Sequence, residues 1–265
     1  MKAREKTEKQ TAVVTLMEPA REIPVVGEYD VIVCGGGTSG CPAAIAAGRE
    51  GVRVALLEKF SYLGGVPIHS LNPTWHGSNY VYQGLLEEML REAYRRSGWD
   101  VDPFAEKALV VDPDILRQVL TEMVQEAGVE ILLHTWIAGV IPDGDAGHYV
   151  ITESKSGRQA LRAKILIDGT GDADVAVALG ADYHMGDPED DFATQGMTVR
   201  FVAGNVDFPK YLDFLETHPE LRRHRSSEEI QSILRKSGID PTLQRGDYGK
   251  KKQSVYVHRP DLEKP

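Results

Sequence analysis

The sequence predicts an α/β fold: a parallel sheet with an antiparallel crossover, followed by the beginning of a second domain. Three observations carry this expectation. Residues 30–59, DVIVCGGGTSGCPAAIAAGREGVRVALLEK, run from an apolar segment through three glycines and an alanine-rich stretch into a second apolar segment that closes on Glu58. Apolar runs without alternation, such as 30–34 and 52–57, suit strands buried on both faces, as in parallel sheets. Further on, 137–142, 148–154 and 158–161 are short segments separated by DGDAG and KSG turns, the pattern of an antiparallel meander.

In chain order, residues 1–28 read as a leader, partly disordered, with a short strand at 11–17. Residues 30–34 form a strand, 38–50 a helix stopped by Gly51, and 52–57 a second strand, all within the about 30 residues of a βαβ unit. Residues 60–84, with LGG, NP and HGSN turn signals, read as irregular. A helix follows at 85–96. Another lies in VDPDILRQVLTEMVQEAG at 111–128, where Asp112 caps, Pro113 takes the first helical position and Gly128 stops it. Residues 129–133 form a strand, the meander follows, and KILID at 164–168 is one more buried strand, leading into GTGDAD. After Asp187 the texture changes. An acidic turn precedes a strand at 197–203, and SSEEIQSILRKSG at 226–238 is an exposed helix whose Ser226 and Glu229 form a capping box. No element is expected from Gly238 onward. The domain expectation is 1–28 leader, 29–190 nucleotide-binding domain and 191–265 a partial substrate or cap domain.

Composition narrows the function. The chain has 265 residues and a net charge of −10, which disfavours nucleic acid or an anionic membrane surface as the main partner. Two cysteines without a CxxC pair make neither a disulfide framework nor a zinc or iron–sulfur ligand set. No metal is expected. The polar start MKAREKTEKQ and the lack of a membrane-length apolar run point to a cytoplasmic setting.

The glycine cluster has the spacing Gly35-x-Gly37-x-x-Gly40. Gly35 permits a tight turn off the strand, Gly37 lets backbone approach a pyrophosphate, and Gly40 packs helix against strand. The helix N-terminus then offers free N–H groups to phosphate, with hydroxyl donors from Thr38 and Ser39. Glu58, about 20 residues on, suits a ribose acceptor. A glycine-rich turn in any α/β protein would account for the glycines alone, but strand, helix, second strand and terminal acid are all in place. The combination argues for a dinucleotide.

Which dinucleotide is answered by a resemblance. LEKFSYLGG at 57–65 and KILIDGTGDADVAVALGADY at 164–183, with the first motif, resemble the FAD-dependent oxidoreductases of the glutathione-reductase-like superfamily. The branch is one whose members are similar to the flavin-carrying part of heterodisulfide reductase. The resemblance covers about residues 22–205. It implies a Rossmann-like FAD/NAD(P)-binding sheet and FAD as cofactor. Gly35, Gly36, Gly37, Thr38, Ser39 and Gly40 would hold the pyrophosphate, Glu58 the adenosine ribose, and Lys59 would lie near the adenosine. Gly64 and Gly65 would let backbone pass close to the cofactor. Thr170, Gly171 and Asp172 would end a strand at the ligand edge of the sheet, and main chain near Ile137 would meet adenine. In the superfamily the FAD domain closes with a returning strand and an apolar-Gly-Asp motif. Gly246-Asp247 follows Arg245 in a polar run and does not match it. The resemblance therefore implies that the C-terminal part is lacking, so that either a complementing chain supplies the strand or the chain is a truncated product that holds FAD weakly or not at all.

His69 and His76 follow the LGG loop, on the side where a flavin ring would lie, and either could protonate a substrate. Polar loop packing is the plainer reading of both, and Trp75 reads as core. Cys34 and Cys41 read as small buried thiols, with Cys41 near a helix N-terminus as the one candidate for reactivity. For Asp172 and Asp174, helix capping and cofactor contact outweigh a catalytic carboxylate pair. The expected function is an FAD-dependent oxidoreductase moving hydride or electrons between flavin and a small-molecule substrate or electron-transfer protein. Two alternatives stand beside it: one component of a truncated or split enzyme, not catalytic alone, and an NAD-binding dehydrogenase.

Overall fold

The computed structural model describes residues 15–76, 82–98, 104, 108–190, 192–194, 199–204, 206–218, 226–236, 242 and 255–257. The framework is a sheet of strands β1 (Val25–Cys34), β2 (Val54–Leu57), β5 (Glu130–Leu132), β6 (Trp136–Pro142), β7 (His148–Ser154) and β8 (Gly157–Asp168). Their order is β5-β2-β1-β8-β7-β6. The first four run parallel, and β7 pairs antiparallel with both β8 and β6.

Helix α1 (Gly40–Arg49) follows β1, and α4 (Pro113–Glu126) precedes β5. Both pack on one face, where Val31, Val33, Val54 and Leu56 meet Ala44, Ile45, Leu116, Val119 and Leu120, with α3 (Leu85–Ser97) adding Met89 and Leu90. The other face has its own core. Ile32, Cys34, Ala55 and Leu57 pack with Val150 and Leu161 from the meander and Val175 from α5 (Asp174–Ala178). The apolar segments 31–34 and 54–57 are thus covered on both sides, the physical reason they lack alternation, while Val52 and Arg53, ahead of β2, are exposed.

Two segments expected as separate strands, 158–161 and 164–168, are one strand, β8. Arg162 and Ala163 lie between the two expected segments; the charged Arg162, and Lys164 beside it, are neutralised by Asp143 at 2.9 Å and Asp30 at 2.6 Å, so the strand runs on through them. One strand thereby carries the crossover directly into the parallel sheet. Similarly, β1 starts at Val25, inside the expected leader. The strand expected at 11–17 lies largely outside the described residues, and residues 15–17 are in no strand. The irregular stretch contains a short helix α2 (Val66–His69) and β3 (Thr74–His76), which pairs with β4 (Ala108–Val110).

The helix at 111–128 is built as expected: Asp112 accepts from Asp114 N at 2.9 Å and Ile115 N at 3.2 Å. Beyond the acidic turn, β9 (Phe201–Ala203) pairs with β10 (Val255–Val257), a strand in a region where none was expected. Helix α6 (Phe208–Thr217) was also not foreseen, although Asp207 before Phe208-Pro209 is a start signal and Phe208, Leu212 and Leu215 are its buried stripe. Helix α7 (Ser227–Lys236) opens on the expected capping box, with Ser226 N donating to Glu229 Oε2 at 2.7 Å and Glu229 N to Ser226 Oγ at 3.2 Å. Among the described residues no helix is long and apolar enough to cross a membrane.

Candidate functional site

β1 and β8 end side by side, Cys34 opposite Asp168. The glycine-rich loop leaves β1 there. Gly35 N still donates to Leu57 O at 2.8 Å, and the chain then turns so tightly that a Cβ on Gly40 would lie 1.7 Å from Gly35 O. A Cβ on Gly35 would lie 2.3 Å from Gly169 O, and one on Gly169 would meet Gly40 Cα at 3.1 Å. Gly35, Gly40 and Gly169 therefore interlock: a side chain at Gly35 or Gly40 would run into backbone, and one at Gly169 would be tight against it.

Above this knot the loop opens. Around Gly37 the nearest neighbour to an added Cβ is Gly65 Cα at 3.8 Å, while Thr38 and Ser39 are exposed. The Gly37, Thr38 and Ser39 amides have no protein acceptor among the described residues. They stand at the head of α1, where peptide dipoles leave positive partial charge. The LGG loop closes the other side: Gly64 N donates to Gly36 O at 2.8 Å, and Gly65, at φ 63°, comes against Gly37. Exposed backbone donors framed by glycines match an anionic diphosphate in shape and charge.

Glu58 is 5% exposed at the end of β2. Its Oε2 accepts from Gly36 N at 2.9 Å and its Oε1 from Phe60 N at 2.8 Å. The carboxylate braces the loop from beneath, and each oxygen retains a lone pair for a hydroxyl donor. Lys59 is exposed, its Nζ 5.4 Å from the centroids of both Phe60 and Trp136. Ile137 packs at the margin of the second core.

The 169–172 turn lies against the glycine loop, with Gly171 and Asp172 exposed. The capping expected of Asp172 and Asp174 belongs instead to Asp168, which accepts from Val175 N at 3.0 Å and Ala176 N at 2.9 Å. Asp174 occupies the first position of α5, too late in the turn to cap it. Partial burial opposes ionisation of Asp168, but bonds from the Thr170 hydroxyl and the Ala176, Thr170 and Val175 amides hold its carboxyl below the usual range. Asp168 and Gly169 were not among the sequence candidates. An acid-glycine pair at a strand end, just before a helix, was the available signal.

His69 lies between Phe60, centroid distance 4.0 Å, and Tyr62, at 4.5 Å and nearly parallel. Its Nε2 is 3.1 Å from Tyr62 O, and burial lowers its pKa. It packs the loop, as the plainer reading has it. His76 ends β3. Burial, with Asp168 nearby, pushes the Cys34 thiol up to about 12. Burial, with Glu58 nearby, does the same for Cys41, whose Sγ donates to Gly36 O at 3.1 Å. The reactivity entertained for Cys41 is thus corrected: desolvation outweighs the helix end. Among the described residues no group of three His, Cys, Asp or Glu side chains is placed to hold a metal ion.

A family model described as FAD dependent oxidoreductase matches residues 30–260. An uncharacterized protein in the nifH2 5' region of Methanosarcina barkeri is 26% identical over 159 residues, covering 54% of this chain and 82% of that protein. Thiamine thiazole synthase of Methanoculleus marisnigri is 31% identical over 118 residues, 44% of each. A solved geranylgeranyl bacteriochlorophyll reductase-like protein from Thermoplasma acidophilum is 21% identical with a TM-score of 0.46, covering 59% of this chain and 43% of that one. The chain spans less than half the length of these last two proteins.

Proposed function

The chain belongs to the FAD dependent oxidoreductase family, and from that premise we propose that FAD is held on the shelf between the glycine-rich loop, the LGG loop and the 169–172 turn. Bound there, FAD would supply transfer of hydride or electrons to or from a small-molecule substrate or a redox protein, in a cytoplasmic setting. The chain's own residues bind and orient. The Gly37, Thr38 and Ser39 amides take the pyrophosphate, Glu58 braces the loop and accepts from the adenosine ribose, and Lys59 borders the adenosine. Gly64, Gly65, Gly171 and Asp172 keep backbone close to the cofactor. The closer assignment, to the glutathione-reductase-like superfamily and the branch similar to the flavin-carrying part of heterodisulfide reductase, belongs to the same proposal, as do domain limits at 29–190 and 191–265. The family match lends the nicotinamide alternative no support.

The observation that carries the reading is the row of amides at Gly37, Thr38 and Ser39 without protein acceptors among the described residues, at the head of a ten-residue helix and beside Glu58. The test is the visible spectrum of the purified chain, with release and identification of its chromophore. The expected result is a yellow protein releasing FAD in near-equimolar amount, with FAD binding weakened about tenfold or more in Glu58→Ala, which loses a brace and a charged acceptor. A colourless chain that cannot be reconstituted with FAD overturns it.

One observation favours a second reading, in which a complementing chain completes the FAD domain. Ile165 lies in β8, between β1 and β7, yet is 58% exposed. Under this reading the chain alone stays colourless and acquires flavin only when co-expressed with its complement.

A further inference from the structure

Asp168 stands where β8 leaves the sheet, and its carboxylate gathers four donors. Oδ1 accepts from Thr170 N at 3.0 Å and Thr170 Oγ1 at 2.7 Å. Oδ2 accepts from Val175 N at 3.0 Å and Ala176 N at 2.9 Å. The Thr170 hydroxyl also accepts from Asp174 N at 3.1 Å. Between these anchors the chain passes through Gly171 at φ 92° and Ala173 at φ 60°. The second is a left-handed conformation that alanine avoids unless its surroundings impose it. The carboxylate is such a constraint, because it binds the turn on both sides of Ala173.

The same turn begins at Gly169, which is locked against Gly35 and Gly40. Gly169 N donates to Cys34 O at 2.8 Å, and a Cβ on Gly35 would meet Thr170 N at 2.9 Å. The glycine-rich loop therefore has the 169–173 turn as a wall, held at Gly169 by Cys34 O and beyond it by the bonds to Asp168.

We propose that Asp168 is a positioning residue for the cofactor: its carboxylate, through Thr170 and the head of α5, sets the 169–173 turn against the glycine-rich loop and preorganises the FAD shelf. This rests on the FAD reading above. Four donors need an acceptor with no hydrogens of its own, a role for carboxylate and not for amide. Asp168→Asn keeps the shape but presents an NH₂ group to backbone N–H groups. Thr170→Val removes the hydroxyl that joins Asp168 to Asp174 N, and Thr170→Ser restores it.

The experiment measures FAD dissociation constants by flavin fluorescence, together with the shape of the bound flavin's visible absorption band. Wild type is compared with Asp168→Asn, Thr170→Val, Thr170→Ser and Asp112→Ala. Asp168→Asn is expected to weaken FAD about tenfold and to shift the band, since it breaks charge-assisted bonds that hold the shelf. Thr170→Val moves in the same direction by less, and Thr170→Ser returns to wild type. Asp112→Ala, which loses a helix cap away from the shelf, lowers Tm but leaves affinity and band unchanged. If Asp168→Asn lowers Tm in the same way, with affinity and band intact, the positioning role is wrong while the FAD reading stands. If Asp168→Asn does not fold, the Thr170→Val and Thr170→Ser pair decides by the same two readouts. If wild type takes no FAD either alone or co-expressed with its complement, both fall.

Discussion

Cys34 and Cys41 lie at the foot of the proposed cofactor shelf, and burial silences both. With thiols pushed up to about 12, the thiolate fraction near neutrality is negligible. Native protein at pH 8 is therefore expected to leave both thiols unmodified by a maleimide, while denatured protein reacts at both; rapid labelling of the native fold would contradict the buried geometry. The linked effect on stability has a definite sign. Unfolded thiols ionise from about pH 8.5 upward, whereas the folded ones keep their protons, so this contribution is complete below that pH and is lost as pH rises toward 12. Glu58 shows a different residue-scale logic. Its place at the end of β2 was readable from spacing, but its bond to Gly36 N was not, because that bond depends on how the loop folds back over the strand.

At the scale of elements, the best-specified pieces carry their own punctuation. Helix α4 has a side-chain cap, a proline in its first turn and a buried stripe of Leu116, Val119, Leu120, Met123 and Val124. Asp112→Ala is expected to cost about 1 kcal/mol, the usual value of such a cap, read as a lowered denaturant midpoint with unchanged slope. A loss within experimental error would mean that packing against α3 and α1, not the cap, holds the helix end. Helix α7 shows the same local legibility in its capping box. Elements without such signals were harder to read. β3 and β4 are short strands that depend on each other for pairing. β8 spans two segments because its charged residues find ion pairs on neighbouring parts of the chain, a compensation invisible to a reading of periodicity.

For the whole molecule, the β1–β8 pairing is the decisive join. It unites the βαβ unit, the meander and the 169–173 turn in one sheet, with a core on each face. A ligand held across these parts stabilises the fold that assembles them. FAD at 100 times its dissociation constant is expected to add about 2.7 kcal/mol to unfolding, seen as a concentration-dependent rise in Tm that riboflavin, which lacks the diphosphate, does not reproduce. An equal rise with riboflavin would place the affinity away from the α1 head. The sequence by itself determined the strand–glycine loop–helix–strand unit, the acid that ends it and the meander, because each is encoded by neighbours in the chain through turn chemistry, capping and period. Only the tertiary structure decided that Gly169 would lock Gly35 and Gly40, and that Asp168, and not Asp172 or Asp174, would cap α5. Those contacts join segments far apart in sequence, and they come into being only when two parallel strands pair and bring their ends to the same edge of the sheet.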